Sequence, residues 1–306
     1  MARLPDTYIP SMLSDAQIKQ FHHDGFLNAG PMLTEKELAA LSTALDEAIR
    51  RGPDGFPEGS PRPVLFRDLY AGGGGDYTAK ALVTERPVWQ ILNIWEGFEV
   101  FRTLIYNPGI VNAIGQLSGF KDLQVWHDQV QYKPPRAGGP ALWHQDAPLW
   151  PSIEPMTPVS AWIPFDDADI ANGCMWMVPG SHRWGNQRPY LDTMKHLRNV
   201  EEFTRFLPFT PPADAEIRTI EPRACPVRRG EVHFHHSLTW HGSPQNQSDR
   251  PRRAIAVHYM SSDARYTGKE HPMTRFISIK PGETMAAAGP HFPRVMRSGK
   301  PVEAPA

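Results

Sequence analysis

From residue 122 onward the chain is a succession of short runs rich in aromatic and β-branched residues, each cut off by Pro, Gly, Asn or Asp. "DLQVWHDQVQYKP", "VSAWIPF", "GCMWMVP", "EVHFHHSLTWHG" and "RAIAVHYM" carry the residues that suit a pleated, half-buried surface. Strands in this rhythm predict an antiparallel sandwich or jelly roll with helices packed outside it. Proline, 32 of 306 residues, is the compositional outlier and fits many loops between short strands.

Ahead of that region two helices are marked by their caps. Ser14 with Gln17, and Thr34 with Glu37, match the pattern in which the cap and third residues satisfy each other's free backbone donors. In the second helix Leu38, Leu41, Leu45 and Ile49 form one stripe, and Gly52 is the expected stop. The Gly/Pro-rich stretch 52–76, ending "AGGGGDY", predicts a long surface loop of the kind that covers sites. "EVFRTLIYNPGIVNAIGQLSG" reads as two short helical pieces broken before Pro108, and residues 281–306 read as loop and tail. With no internal repeat, the expectation is one domain over 1–306, with N-terminal helices at about 14–52 and a core at about 120–262.

Charge and cysteine usage exclude several classes. The 32 basic and 33 acidic residues nearly cancel, and no long run of one sign favours nucleic acid or an acidic membrane as partner. Cys174 and Cys225 are too few for a disulfide scaffold or a cysteine zinc site and fit a reducing compartment. The N-terminal residues lack the apolar core of a secretory signal, and no apolar run has transmembrane length. A soluble cytoplasmic protein is expected.

The pattern His-x-Asp occurs twice, at His22/Asp24 and His144/Asp146. With 13 His and 17 Asp in 306 residues, composition alone gives about 0.7 occurrences, so the pattern is uninformative without its setting. The first pair falls at a helix end, where residues two apart do not share a face, and is expected to be solvated. The second lies in the strand-like "ALWHQDAPLWP", where positions two apart project to one side and can converge on one ion.

A third donor is expected from the histidine-dense segment at His233, His235, His236 and His241. A polar turn, Ser243 to Pro251, follows His241; if the two flanking strands pair, Arg252 and Arg253 lie near it. Adjacent strand residues face opposite ways, so one arginine shares the side of His241 and the other reaches solvent. Two His and one carboxylate on one face leave three adjacent positions open, as in non-haem Fe(II) oxygenases. The far carboxylate of a dicarboxylic 2-oxo acid would be matched by an arginine fork.

These pieces resemble the phytanoyl-CoA dioxygenase family of Fe(II)/2-oxoglutarate-dependent oxygenases. The resemblance runs from "DGFL" through "YNPGI" and "QYKPP" to "AIAVHYM"; its most specific parts are "WHQD", "NGCMWMVPGSHRWG" and "HGSPQNQSDRPRRA". It implies a mainly β, double-stranded β-helix (jelly-roll) core with flanking helices. Iron would be held by His144, Asp146 and His241, with 2-oxoglutarate and O2 as cosubstrates and ascorbate as a supporting reductant. Arg252, eleven residues after His241, corresponds to the arginine that takes the far carboxylate, and Ser243 to a serine that assists it. Trp162, sixteen residues after Asp146, corresponds to a pocket tryptophan, and Gln129 and Gln145 to further pocket positions. In the phytanoyl-CoA enzyme a lysine also contacts 2-oxoglutarate. Asn93 in "ILNIWEG" stands near its equivalent here and supplies no charge.

Related halogenases carry a small residue in place of Asp146, so the carboxylate points to oxygenation. The implied reaction is hydroxylation of a small organic substrate, in secondary metabolism. Desaturation, epimerisation and ring formation remain open, as do a non-catalytic binding protein and a cupin-like zinc or manganese enzyme. His233, His235 and His236 are expected as packing or supporting groups, with His236 nearest the site, and His182 as a turn residue. Trp143, Trp150 and Trp176 are candidates to line a substrate cavity.

Overall fold

The structure, a computed structural model, describes residues 12–69, 85, 87–137, 139–155, 159–194 and 200–305. Helices α1 (Asp15–Asp24) and α2 (Glu35–Arg51) begin at Ser14 and Thr34, each with the reciprocal cap the sequence predicts. Gly25 ends α1 in the left-handed conformation (φ 86°), and a side chain there would collide with His182 and Thr239. That close approach explains the glycine of "DGFL". Helices α3 (Glu99–Ile105) and α4 (Pro108–Ser118) are the two pieces expected around Pro108.

The strands in chain order are β1 (Phe26–Pro31), β2 (Leu65–Asp68), β3 (Trp89–Leu92), β4 (Leu123–Lys133), β5 (Ala141–His144), β6 (Ile153–Glu154) and β7 (Val159–Pro164). They continue as β8 (Met175–Met177), β9 (Arg223–Cys225), β10 (Glu231–His236), β11 (His241–Ser243), β12 (Arg252–Ser261), β13 (Arg265–Tyr266), β14 (Arg294–Arg297) and β15 (Lys300–Pro301). A large sheet runs β1-β10-β7-β12-β4-β14-β15, with β3 beside β4 and β2 beside β3. A smaller sheet runs β5-β11-β8-β9. Together they form the jelly-roll core.

Side-chain alternation divides the large sheet into two faces. Val125 and Val130 of β4, Ala161 and Ile163 of β7, Val232 and Phe234 of β10, and Ile255 and Val257 of β12 share one core with α2, α3 and α4. The other face carries Gln129, Gln131 and Lys133 of β4, Trp162 of β7, His233 and His235 of β10, and Arg252, Ala256 and His258 of β12. It looks toward the smaller sheet. The helices therefore cover one side, and the site lies on the other.

Four expectations need correction. "EVHFHHSLTWHG" is two strands: the turn at residues 237–240 carries the chain from the large sheet to the small one. β11 consequently pairs with β5 and β8, while β12 pairs with β4 and β7, so the strands of His241 and Arg252 face each other without being hydrogen-bonded neighbours. The loop expected over 52–76 contains β2, which pairs with β3; residues 70–76 lie outside the described residues. The expected tail is anchored, because β14 adds to β4 and buries Phe292, Val295 and Met296.

Candidate functional site

His144 ends β5 and His241 begins β11, directly opposite each other in the small sheet. Asp146 lies two residues beyond the end of β5, on the same side as His144. The Nδ1 atoms of His144 and His241 meet the carbonyl oxygens of Leu142 (2.7 Å) and Thr239 (2.9 Å). A carbonyl only accepts, so each ring keeps its proton on Nδ1 and presents the Nε2 lone pair. Both Nε2 atoms lie 3.5 Å from Asp146 Oδ1. One donor atom from each of the three residues falls within 4.8 Å of the others. Atoms held about 2.1 Å from one ion at right angles sit about 3 Å apart, so this arrangement suits a metal in a facial two-His, one-carboxylate site.

Electrostatics favour the same use. Burial pushes the Asp146 carboxyl up, but His241 and the hydrogen bonds of His144 and His235 hold it well below the usual carboxylate range. Burial keeps His241 well below the ordinary imidazole value, in its neutral donor form. For His144 burial acts downward, and the hydrogen bond and charge of Asp146 overcome it and raise the value. A bound cation would take the place of that proton.

A cavity of about 640 Å³ opens at these three residues and extends between the sheets to Arg252, Ser243 and Trp162. Arg252 is 1% exposed, and its Nε and Nη1 have no hydrogen-bond partner. Its guanidinium carbon sits 5.5 Å from the centre of the Trp162 ring. Burial brings its pKa down to about 10, so it remains a cation at neutral pH. An orphaned, buried guanidinium is costly alone, and a carboxylate entering the cavity would satisfy it. The far end of a dicarboxylic 2-oxo acid fits that description.

Sequence reasoning missed Lys133, the lysine of "QYKPP". It is buried, and its Nζ donates to Ser243 Oγ (2.6 Å), Ser243 O (3.2 Å) and Pro244 O (2.6 Å). Burial and the nearby Arg252 charge hold it well below its ordinary pKa. The signal was available in parity: Lys133 shares the face of Gln129 and Gln131.

Gln129 lines the cavity, as expected, but Gln145 and Asn93 do not. Gln145 lies between two residues that face the site and points away. Its amide donates to Gly185 O and Leu238 O and accepts from Gln187 N–H. Asn93 occupies a left-handed turn (φ 49°) after β3, a conformation asparagine tolerates. Its Oδ1 accepts from Asp128 N–H and its Nδ2 donates to Glu96, so neither group faces a cosubstrate.

Parity also corrects the histidines and Arg253. His235, not His236, is next to the triad: its Nε2 is 3.2 Å from Asp146 Oδ2. His236 packs 5.2 Å from the His182 ring, beside α1, and its N–H donates to Gly25 O. His182 lies in a single 3-10 turn of helix, Ser181–Trp184, and not in the triad. Arg253 is not solvated; it lies on the helix-facing side and pairs with Asp166 (2.7 Å) and with Asp46 of α2 (2.5 Å). Trp143 and Trp150 line the cavity; Trp176 does not. Gln90, Gln129, Leu149 and Trp150 also border a second cavity of about 690 Å³, reaching His127, His271 and Thr274.

Comparison with known proteins agrees with this geometry. The family model described as Phytanoyl-CoA dioxygenase (PhyH) matches residues 21–254. Phytanoyl-CoA dioxygenase domain-containing protein 1 of Mus musculus is 29% identical over 275 residues, covering 82% of this chain and 91% of its own length. The peroxisomal phytanoyl-CoA dioxygenase of Rattus norvegicus is 25% identical, covering 84% of this chain and 71% of its own. Among solved structures, a non-heme α-ketoglutarate-dependent carbocyclase from nogalamycin biosynthesis superposes with a TM-score of 0.66 at 24% identity. That match covers 94% of this chain and all of the other. EctD from S. alaskensis, solved with 2-oxoglutarate and 5-hydroxyectoine, gives a TM-score of 0.61 at 18% identity, covering 99% of this chain and 92% of its own. No helix among the described residues is long and apolar enough to cross a membrane.

Proposed function

The chain belongs to the phytanoyl-CoA dioxygenase family of Fe(II)/2-oxoglutarate-dependent oxygenases, and on that premise we propose that it hydroxylates an unactivated C–H bond of a small organic molecule. Each turnover would consume one O2 and one 2-oxoglutarate and release succinate and CO2. The observation that carries this reading is the convergence of His144 Nε2, His241 Nε2 and Asp146 Oδ1 on a cavity whose far end holds an unpartnered, buried Arg252. Bound at the triad, Fe(II) would supply the activation of O2; the chain's own residues position the reactants. Arg252, steadied by Trp162, would hold the far carboxylate. Lys133 keeps Ser243 in place beside it.

The second cavity supports a compact substrate. Burial drives His127 down to about 3 and His271 down to about 4, so both are neutral at physiological pH. Together with Thr274, Gln90, the face of Trp150 and the charged side chains of Arg188, Glu270 and Arg275 that also line this cavity, they suit a polar, hydrogen-bonding molecule carrying a ring. Asp146 occupies a position that would have to be vacated for halide, which supports oxygenation. The neighbours of this fold include a carbocyclase and an epimerase. Product analysis therefore has to separate hydroxylation from those outcomes. We infer a single domain with a biosynthetic role in the cytoplasm; for the compartment alone, the two free cysteines are consistent with a reducing setting.

The test is anaerobic reconstitution with Fe(II), then 2-oxoglutarate, then O2 with ascorbate. Expected are a visible charge-transfer band on adding 2-oxoglutarate, slow succinate formation without substrate, and its loss in His144→Ala. Failure of the wild-type protein to bind Fe(II) would overturn the reading.

A further inference from the structure

His235 is 2% exposed and stands on β10, in the sheet opposite the triad. Its Nδ1 has no partner, and its Nε2 meets Asp146 Oδ2 at 3.2 Å. Its ring lies 4.8 Å from that of His241. Leu or Phe would fill this position without leaving a polar atom orphaned, an omission that costs about 1–3 kcal/mol. The one compensating contact is with Asp146 Oδ2, whereas the oxygen nearest to the other two histidines is Oδ1.

We propose that His235 is a positioning residue for the metal-binding carboxylate: its Nε2–H donates to Asp146 Oδ2 and reserves Oδ1 alone for the ion. The proposal rests on the metal-site reading above and deepens it. A carboxylate free to turn can bind through both oxygens and occupy two coordination positions. A 2-oxo acid needs two positions and O2 one, so the triad must occupy only three. The His235 contact keeps the count at three. His235 is not itself a fourth ligand, because the donor atoms within 4.8 Å of one another come from His144, Asp146 and His241.

The test compares His235→Phe, His235→Gln and His235→Asn in the full chain. Gln places an amide N–H near the Nε2 position, whereas Asn places one near the unpartnered Nδ1. The readouts are Fe(II) affinity by competitive chelation and the visible absorption of the Co(II) form, which reports coordination number. His235→Phe should weaken Fe(II) binding about 10–100-fold and shift the Co(II) spectrum toward a higher coordination number. His235→Gln should restore both and His235→Asn neither. Unchanged affinity and spectrum in His235→Phe would overturn the proposal, as would equal behaviour of the Gln and Asn variants; the latter comparison serves if the Phe variant fails to fold. Wild-type protein that binds neither metal would instead overturn the oxygenase reading itself.

Discussion

The two His-x-Asp pairs have the same sequence spacing and different surroundings. At the end of α1, Asp24 is buried, with His23 Nδ1 at 2.7 Å and Arg223 at 3.7 Å; His22 stands in solvent and offers only its backbone carbonyl to Arg183 and His182. The expectation of a solvated helix end therefore holds for His22 and fails for Asp24. At the end of β5, Asp146 is surrounded by His144, His235 and His241, and no arginine or lysine among the described residues pairs with it. Asp24 already has its cation. Asp146 has a ring of imidazoles, two of them with lone pairs turned inward, and that arrangement calls for a metal ion. Backbone geometry allowed the pair to converge; the neighbours decided what it converges on.

The sharpest way to break this comparison is to remove one carboxylate from each pair. Asp146→Ala should abolish stoichiometric Fe(II) binding and 2-oxoglutarate turnover, whereas Asp24→Ala should leave Fe(II) affinity within about twofold, because it supplies no donor to the cluster. Calorimetric titration of both variants decides it. Equal losses would mean that the difference in surroundings has been misread.

Arg252 extends the comparison from the metal to the anion. Arg223 beside Asp24 is 56% exposed and paired, while Arg252 is buried and unpaired. Arg252→Met should therefore weaken 2-oxoglutarate binding by about 2–5 kcal/mol, roughly 30-fold to several thousand-fold, with Fe(II) affinity unchanged. The same variant should melt at a higher temperature than wild type in the absence of 2-oxoglutarate, since it removes an uncompensated buried charge. Addition of 2-oxoglutarate should raise the melting temperature of the wild type only. A variant that loses stability without ligand would argue that Arg252 has a structural anion partner.

Acid sharpens the contrast between exposed and enclosed histidines. Burial holds His233, His241 and His258 well below 6.5 and brings His127 to about 3. Their folded values are depressed, so the unfolded chain takes up protons first: stability is fully present above about pH 6.5 and lost as pH falls below it. Each should cost on the order of 2 kcal/mol by pH 5. His144 runs the other way; its raised value favours the metal-free fold below pH 6.5, an advantage lost as pH rises through its folded value. Metal-free protein should therefore unfold in a pH range above that of carboxylates, and His127→Phe should shift the transition to lower pH. A melting temperature that is flat between pH 7 and pH 5 would refute this.

Much of this was legible in the chain, and the failures share a cause. Caps and helix stops were local signals and appear where the residues predicted them, as does the long strand β4. The triad was reachable because alternation places His144 and Asp146 on one side and the histidine-dense segment offered a third donor. Alternation alone does not say which face of a strand is inward. His236 was preferred to His235 because nothing local reveals that Val232 and Phe234 face the helices, which places His236 with them. The same ambiguity sent Arg253 to solvent, when Asp46, distant in sequence, was waiting on α2. The family resemblance places Asn93 near a cosubstrate-binding lysine, whereas its left-handed turn and its bond to Asp128 are tertiary facts. Lys133 escaped notice because its partners, Ser243 and Pro244, lie 110 and 111 residues away.

The smallest expected effect belongs to Asp24 and follows from its partners' exposure. Breaking a fully buried ion pair costs about 3–5 kcal/mol, and an exposed one 0–1 kcal/mol. Asp24 is buried, but the His23 and Arg223 side chains are 52% and 56% exposed and can turn to water when the carboxylate is lost. Asp24→Asn also keeps a side chain of the same shape that can accept one hydrogen bond. The cost should be about 1 kcal/mol, a lowering of the melting temperature by about 2 °C for a chain of this size. Fe(II) binding should be unaffected. A loss several times larger would mean that Arg223 is held by Asp24 more rigidly than its exposure suggests, and that this pair ties the end of α1 to β9.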